Sequence, residues 1–201
     1  ILNLLQCFQR KVALTAFEFF SELALQKVTQ RGDIPRPFSE QCAFYALIEF
    51  DADADEEAAI AFEEAQERDW VKTGVISQSD AQAAALWSLR ENISESIAAQ
   101  TPYKNDLSVR ISEVPGFLSD VDDIVNKHYP DLDVCWYGHI GDGNLHLNIL
   151  KPESVPIDDF FERCHRINPE LFRLIEKRGG SISAEHGVGL LKRDFLPYSK
   201  S

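Results

Sequence analysis

Two histidines, His139 and His146, flank a glycine-rich turn in the stretch GHIGDGNLHLN, residues 138–148, in company with Asn144 and Asn148. Asp142-Gly143 is a strong hairpin signal, because the tight turns that join antiparallel strands need residues that accept positive φ. A turn centred there makes His139 and His146 cross-strand partners on one face of a sheet, with Asp142 serving only as turn former. Side chains repeat every two residues along a strand, so Asn144 and Asn148 share the face of His146. Neutral imidazoles suit zinc and its neighbours, but two donors leave a metal site incomplete.

A second cluster, SAEHGVG at 183–189, offers Glu185 and His186. Neighbours on a regular strand point to opposite faces, yet a strand end followed by Gly187 and Gly189 can twist enough for both to serve one site. Glu185 would complete a two-histidine, one-carboxylate set with open positions, which is a catalytic rather than a structural pattern. His186 would then remain as an acid–base group. The remaining charged groups have plainer readings. His128 and His165 sit in helical stretches without nearby partners and read as solvent-facing. Lys104 reads as a solvated charge and Arg90 as an ion-pair partner on a helix face. On spacing alone the chain admits a metal-dependent hydrolase using a metal-bound water, or a non-catalytic fold in which the histidines only shape the hairpin.

The elements that must position these residues alternate along the chain. Leu2, Leu5, Phe8 and Val12 show helical spacing, and ALTAFEFF follows as a strand. SELALQKV returns to helical spacing, RGDIPRPFSEQ is a loop marked by glycine and proline, and CAFYALIEFDA is an apolar strand. Residues 55–68 form an acidic helix, and VKTGVIS reads as a short strand. The acidic DADADEE at its head lacks the glycine and the closing glutamate of a calcium loop, and suits a helix N-terminus instead. Leu86, Leu89, Ile93 and Ile97 mark a helix over 79–98, with Arg90 and Ser94 one turn apart beside the stripe. KNDLSVRIS alternates as a strand, Pro115 opens a helix to about His128, and two strands surround GDGN. A helix over 158–178 stops at Gly179-Gly180, and SISAEHG is a last strand. Alternating strands and helices with at least one hairpin imply an α+β fold with an antiparallel sheet.

The chain has 201 residues and a formal net charge of −13, which argues against nucleic acid or an anionic membrane surface as partner. No apolar run reaches the length of a bilayer span. Cys7, Cys42, Cys135 and Cys164 show no paired spacing, so reduced thiols in a cytosol-like compartment, and a cytoplasmic location, are expected. With no methionine and an opening inside a helical pattern, the chain is expected to be a fragment of a longer protein.

YGHIGDGNLHLNIL followed by GSISAEHGVGLLKRDFL, together with LWSLRENISES and YKNDLSVRISEVPGF, resembles the C-terminal substrate domain of the FAD-linked oxidase family. That family takes in dehydrogenases and oxidases of D-2-hydroxyglutarate, D-lactate and glycolate type. The resemblance covers essentially the whole chain. It implies that residues 1–201 are one ferredoxin-like α+β cap, its sheet covered by helices, which closes over FAD held by a separate N-terminal domain outside this chain. It implies oxidation of a D-2-hydroxy acid to the 2-oxo acid by hydride transfer to the flavin, with the isolated chain inactive without its FAD-binding domain.

Position by position, the resemblance implies His139, His146 and Glu185 as ligands of a divalent metal, zinc by usual practice, and His186 as the general base. It implies that Arg90, Ser94, Lys104 and Asn148 hold the substrate carboxylates or hydroxyl, and that Asn144 approaches the flavin. Ser94 stands where the family often carries threonine, keeping the hydroxyl. Asn105 replaces an aromatic or other residue beside the lysine and is expected to alter the pocket edge. The implied partners are the FAD-binding domain and a redox acceptor, whether quinone, electron-transfer flavoprotein or cytochrome. A homodimer is a candidate assembly, and the acceptor offers a route to peripheral attachment at a membrane.

Overall fold

The computed structural model describes residues 1–32, 34–185 and 193–198. The chain divides into two compact units, Ile1–Ser96 and Ile97–Ser201. Helices and antiparallel strands occur in both, so the α+β class holds.

The first unit begins with α1 (Leu2–Gln9), β1 (Leu14–Ser21), α2 (Glu22–Thr29) and β2 (Phe44–Phe50). β1 and β2 pair antiparallel, with Phe17 opposite Ile48 and Phe19 opposite Ala46. Ser21 caps α2 by accepting from the Ala24 amide, the usual task of a serine at that position. The proline-rich loop between α2 and β2 is anchored by Arg36, whose two terminal nitrogens donate to the two Glu22 oxygens at 2.9 and 2.7 Å. The Tyr45 hydroxyl donates to the same carboxylate. α3 (Asp55–Glu67) buries Ala58, Ala61 and Ala65, and this small-residue face lies close enough to α1 for the Cys7 thiol to donate to the Ala61 carbonyl at 3.4 Å. Its first turn carries Asp55, Glu56 and Glu57, favourable charges for the positive end of a helix dipole.

Two expectations for this unit change. VKTGVIS forms no strand: it has no partner ladder, its Val75 and Ile76 are exposed, and Gly74 lies against the Phe62 ring instead. A β-prone sequence without a neighbour to pair with remains a loop. The expected single helix over 79–98 is interrupted at Asn92, where ψ is 0°, giving α4 (Asp80–Glu91) and α5 (Ile93–Ala98). Asparagine competes for backbone hydrogen bonds and favours such breaks. Arg90 and Ser94 therefore fall on different helices.

The second unit reads β3 (Tyr103–Ser108), α6 (Val114–His128), β4 (Asp133–Gly138), β5 (Asn144–Leu150) and α7 (Ile157–Lys177). β5 pairs antiparallel with both β4 and β3. Ser181 returns beside β3, exchanging both backbone hydrogen bonds with Ser108 at 2.8 and 3.0 Å. This is the βαββαβ arrangement of a ferredoxin-like unit, with its last strand reduced to one bridge. The strand expected over 181–187 is thus a single bridged residue, and 186 and 187 lie outside the described residues. α7 ends in a Schellman motif: the Gly180 amide donates to the Ile175 carbonyl and the Gly179 amide to the Glu176 carbonyl, both at 2.9 Å. A side chain at Gly180 would meet the Ser108 carbonyl at 2.2 Å, so the bridge needs a glycine there.

The two faces of this sheet differ sharply. Leu107, Leu145, Leu147 and Ile149 are fully buried on the face covered by α6 and α7, where Tyr103 meets Asn168 and Phe161 of α7 and Trp136 donates to Asp122 of α6. Full burial of each such side chain contributes about 1.5–3 kcal/mol. The other face carries Lys104 and Asp106 of β3, Tyr137 of β4, and Asn144, His146 and Asn148 of β5, as the registers require.

Candidate metal centre

The hairpin that carries the histidines is not the two-residue turn that Asp142-Gly143 suggests. Its connection is a 3-10 turn over Ile140–Asp142, with His139 at its head and Gly143 in the left-handed region at φ +71°. Tyr137, not His139, sits opposite His146. The register is therefore two residues away from the expected one. Because side chains alternate with period two, a shift of two leaves His146, Asn144 and Asn148 on the expected face. Gly143 has a second reason to be glycine, since a Cβ there would lie 2.0 Å from the Val109 carbonyl oxygen. Asp142 is exposed, consistent with a turn former.

The histidines still meet. Released from the strand at φ −90° and ψ 76°, His139 brings its ring to 5.9 Å from that of His146, edge to face. Glu185 arrives from beyond the Ser181 bridge, with its Oε1 3.4 Å from His139 Nε2. One donor atom each from His139, His146 and Glu185 lie within 4.8 Å of one another. Two imidazole nitrogens and one carboxylate oxygen at that spacing fit a divalent transition metal and leave positions open for a further ligand.

The surroundings hold these groups in place. Asn144 donates from Nδ2 to Glu185 Oε1 at 2.6 Å, which places it against a candidate ligand. Asp106, 8% exposed, accepts at Oδ2 from the backbone amides of Ala184 at 3.0 Å and Glu185 at 2.8 Å. Its Oδ1 lies 3.4 Å from His146 Nδ1. The Tyr137 ring packs 5.0 Å from the His146 ring. Sequence reasoning missed Asp106 and Tyr137. The signal for Asp106 was present, since it stands two residues from Lys104 in an alternating strand and so shares its face.

The other expected site residues divide by unit. Asn148 is 1% exposed, opposite Lys104 across β3 and β5, and its Nδ2 lies 3.3 Å from the His146 carbonyl. Lys104 itself is exposed. Arg90 and Ser94 belong to the first unit. Arg90 on α4 is an ion-pair partner as expected, but a buried one: it is 9% exposed and donates from Nε to Glu18 Oε2 of β1 at 2.9 Å. Ser94 is half-buried on α5. Asn105 does not edge the Lys104 face as expected. Strand alternation turns it to the helix-covered side opposite Leu147, where it is 2% exposed. His186 lies outside the described residues.

The two histidines set aside are exposed but not isolated. His128 Nε2 is 2.8 Å from Glu170 Oε2, and His165 packs its ring 5.5 Å from that of Tyr103. All four cysteines are free. Burial pushes the Cys164 thiol up to about 12, which keeps it protonated and unreactive at neutral pH. No helix among the described residues is long and apolar enough to cross a membrane.

Residues 2–201 match the family described as FAD linked oxidases, C-terminal domain. Over its full length the chain is 55% identical to a D-2-hydroxyglutarate dehydrogenase of Stutzerimonas stutzeri, of which it covers 44%. It is 48% identical, again over its full length, to a D-2-hydroxyglutarate dehydrogenase of Xanthomonas citri pv. viticola, of which it covers 43%. Across 94% of the chain it is 38% identical to a mitochondrial D-2-hydroxyglutarate dehydrogenase of Arabidopsis thaliana, of which it covers 33%. The chain therefore spans less than half the length of these relatives.

Proposed function

The chain belongs to the FAD-linked oxidase family as its C-terminal domain, and from that premise we propose that it supplies the substrate and metal site of an FAD-dependent dehydrogenase of D-2-hydroxy acids. The observation that carries the reading is the convergence of His139, His146 and Glu185 donor atoms within 4.8 Å. The family and the relatives named as D-2-hydroxyglutarate dehydrogenases support the substrate class. D-2-hydroxyglutarate, with two carboxylates, is the preferred candidate.

On this reading His139, His146 and Glu185 hold a divalent metal, zinc being suited to two imidazoles and a carboxylate. When bound, the metal supplies Lewis-acid polarisation of the substrate's 2-hydroxyl and carboxylate, and the flavin supplies a hydride acceptor. Asn144 restrains Glu185 through its hydrogen bond, and the family resemblance implies that it approaches the flavin. Lys104 contributes a cationic point charge for a substrate carboxylate, and Asn148 an amide for carboxylate or hydroxyl. Arg90 offers a planar guanidinium and Ser94 a hydroxyl suited to a substrate carboxylate. His186 takes the proton from the 2-hydroxyl as general base. Partners are the FAD-binding domain of the full-length protein and a redox acceptor such as a quinone, an electron-transfer flavoprotein or a cytochrome.

The direct test is anaerobic rapid mixing of the FAD-loaded full-length protein with D-2-hydroxyglutarate, D-lactate and their L-enantiomers. Bleaching of the flavin absorbance by D-2-hydroxy acids is the expected result. A flavin that no D-2-hydroxy acid reduces would overturn the reading.

A further inference from the structure

We propose that Asp106 is the positioning residue of the metal centre, fixing the ring form of His146 and the backbone of Glu185 with one carboxylate. The inference rests on the metal-binding reading above. Asp106 and His146 face each other across β3 and β5 as register partners. A carboxylate only 8% exposed is costly unless its oxygens are occupied. Oδ2 is occupied by the consecutive amides of Ala184 and Glu185, at 3.0 and 2.8 Å. Those bonds fix the backbone of the residue that brings the third ligand, a few residues past the Ser181 bridge. Oδ1 faces His146 Nδ1 at 3.4 Å, within ion-pair distance of the ring nitrogen. With its proton on Nδ1 toward the carboxylate, the ring keeps an Nε2 lone pair for the metal. Metal-bound imidazoles generally donate their other N–H to such a partner, which sets the tautomer and raises ligand basicity.

An asparagine at 106 separates the two contributions. Its amide oxygen still accepts from the Ala184 and Glu185 amides, while its NH2 faces Nδ1 and favours the wrong tautomer. In the full-length protein, wild type and Asp106→Asn are loaded with zinc, dialysed against graded chelator, and assayed for metal per chain. The expected result is retention weakened by roughly 10–100-fold in Asp106→Asn, with the metal-free forms melting alike. If Asp106→Asn retains metal like wild type while His146→Ala loses it, Asp106 has no such role although the metal reading stands. If His146→Ala also retains metal like wild type, the metal reading itself falls and this inference with it. A second measurement needs no variant: wild type with isotopically labelled histidine is loaded with an NMR-active cadmium isotope. Metal coupling to His146 Nε2 with a proton on Nδ1 is expected, and coupling to Nδ1 overturns the proposal even if Asp106→Asn does not fold.

Discussion

Asn144 Nδ2 donates a 2.6 Å hydrogen bond to Glu185 Oε1, so the first residue of β5 restrains a carboxylate that enters from beyond α7. A hydrogen bond to a charged group contributes about 1.5–3 kcal/mol. Asn144→Ala is therefore expected to weaken metal retention by roughly ten-fold, the lower end of what loss of a supporting partner costs. Asn144→Asp, which sets one carboxylate against another, is expected to reshape the site further. Chelator competition on the full-length protein measures both, and wild-type retention in Asn144→Ala would mean that Glu185 is held by other groups.

Gly143→Ala tests the hairpin. The residue sits at φ +71°, and the new Cβ would meet the Val109 carbonyl oxygen at 2.0 Å. The left-handed conformation alone costs roughly 1–2 kcal/mol for a residue with a Cβ, and the backbone clash adds to it. The thermal midpoint should fall by at least about 2 °C, at roughly 2–4 °C per kcal/mol for a domain of this size. An unchanged midpoint would show that the connection has room the structure does not display.

The Glu22–Arg36–Tyr45 cluster makes stability pH-dependent. Burial pushes the Glu22 carboxyl up, but hydrogen bonds from Arg36, Tyr45 and Gln26 outweigh it and leave the pKa below the ordinary carboxylate value. A carboxyl depressed in the folded state contributes stability that is full above its unfolded pKa and is lost as pH falls through the folded one. Glu22→Gln should therefore destabilise at neutral pH, by about 2 kcal/mol, and the gap to wild type should narrow below the carboxylate range. Denaturation curves across that range check it, and a gap that stays constant with pH would contradict it.

Cys164 and Cys42 should differ in reactivity. Cys164 is fully buried with its thiol held near 12, whereas Cys42 is only half-buried. Alkylation of the native protein at neutral pH, followed by peptide mass spectrometry, should modify Cys42 well before Cys164. Equal rates would mean that the α7 interface opens on the timescale of the reaction.

What the sequence made legible was what local rules decide. The long α7 was readable from its apolar spacing and from Gly179-Gly180, which close it in a Schellman motif. The shared face of Asn144, His146 and Asn148 was readable because alternation survives a register error of two. The turn itself was not, since Asp-Gly serves a two-residue turn and the end of a 3-10 turn equally well. Nor was the strand expected at VKTGVIS excluded, because only the absence of a neighbour decides that. The Arg90–Glu18 contact joins α4 to β1, and the Asp106 contacts join β3 to the 184–185 segment. Both depend on pairings remote in sequence.

The reduction of the last ferredoxin-like strand to one bridge at Ser181 has a kinetic consequence. The hairpin can bring its two imidazoles together from neighbouring residues, at the cost of closing a short loop. The carboxylate reaches them only after α7 has crossed the sheet and the chain has returned to β3. Assembly of the three donors therefore closes a longer loop than the hairpin does, and is expected to follow hairpin closure. On the proposed metal-binding reading, metal capture in a refolding experiment would follow that closure, making the cation a reporter of the returned segment.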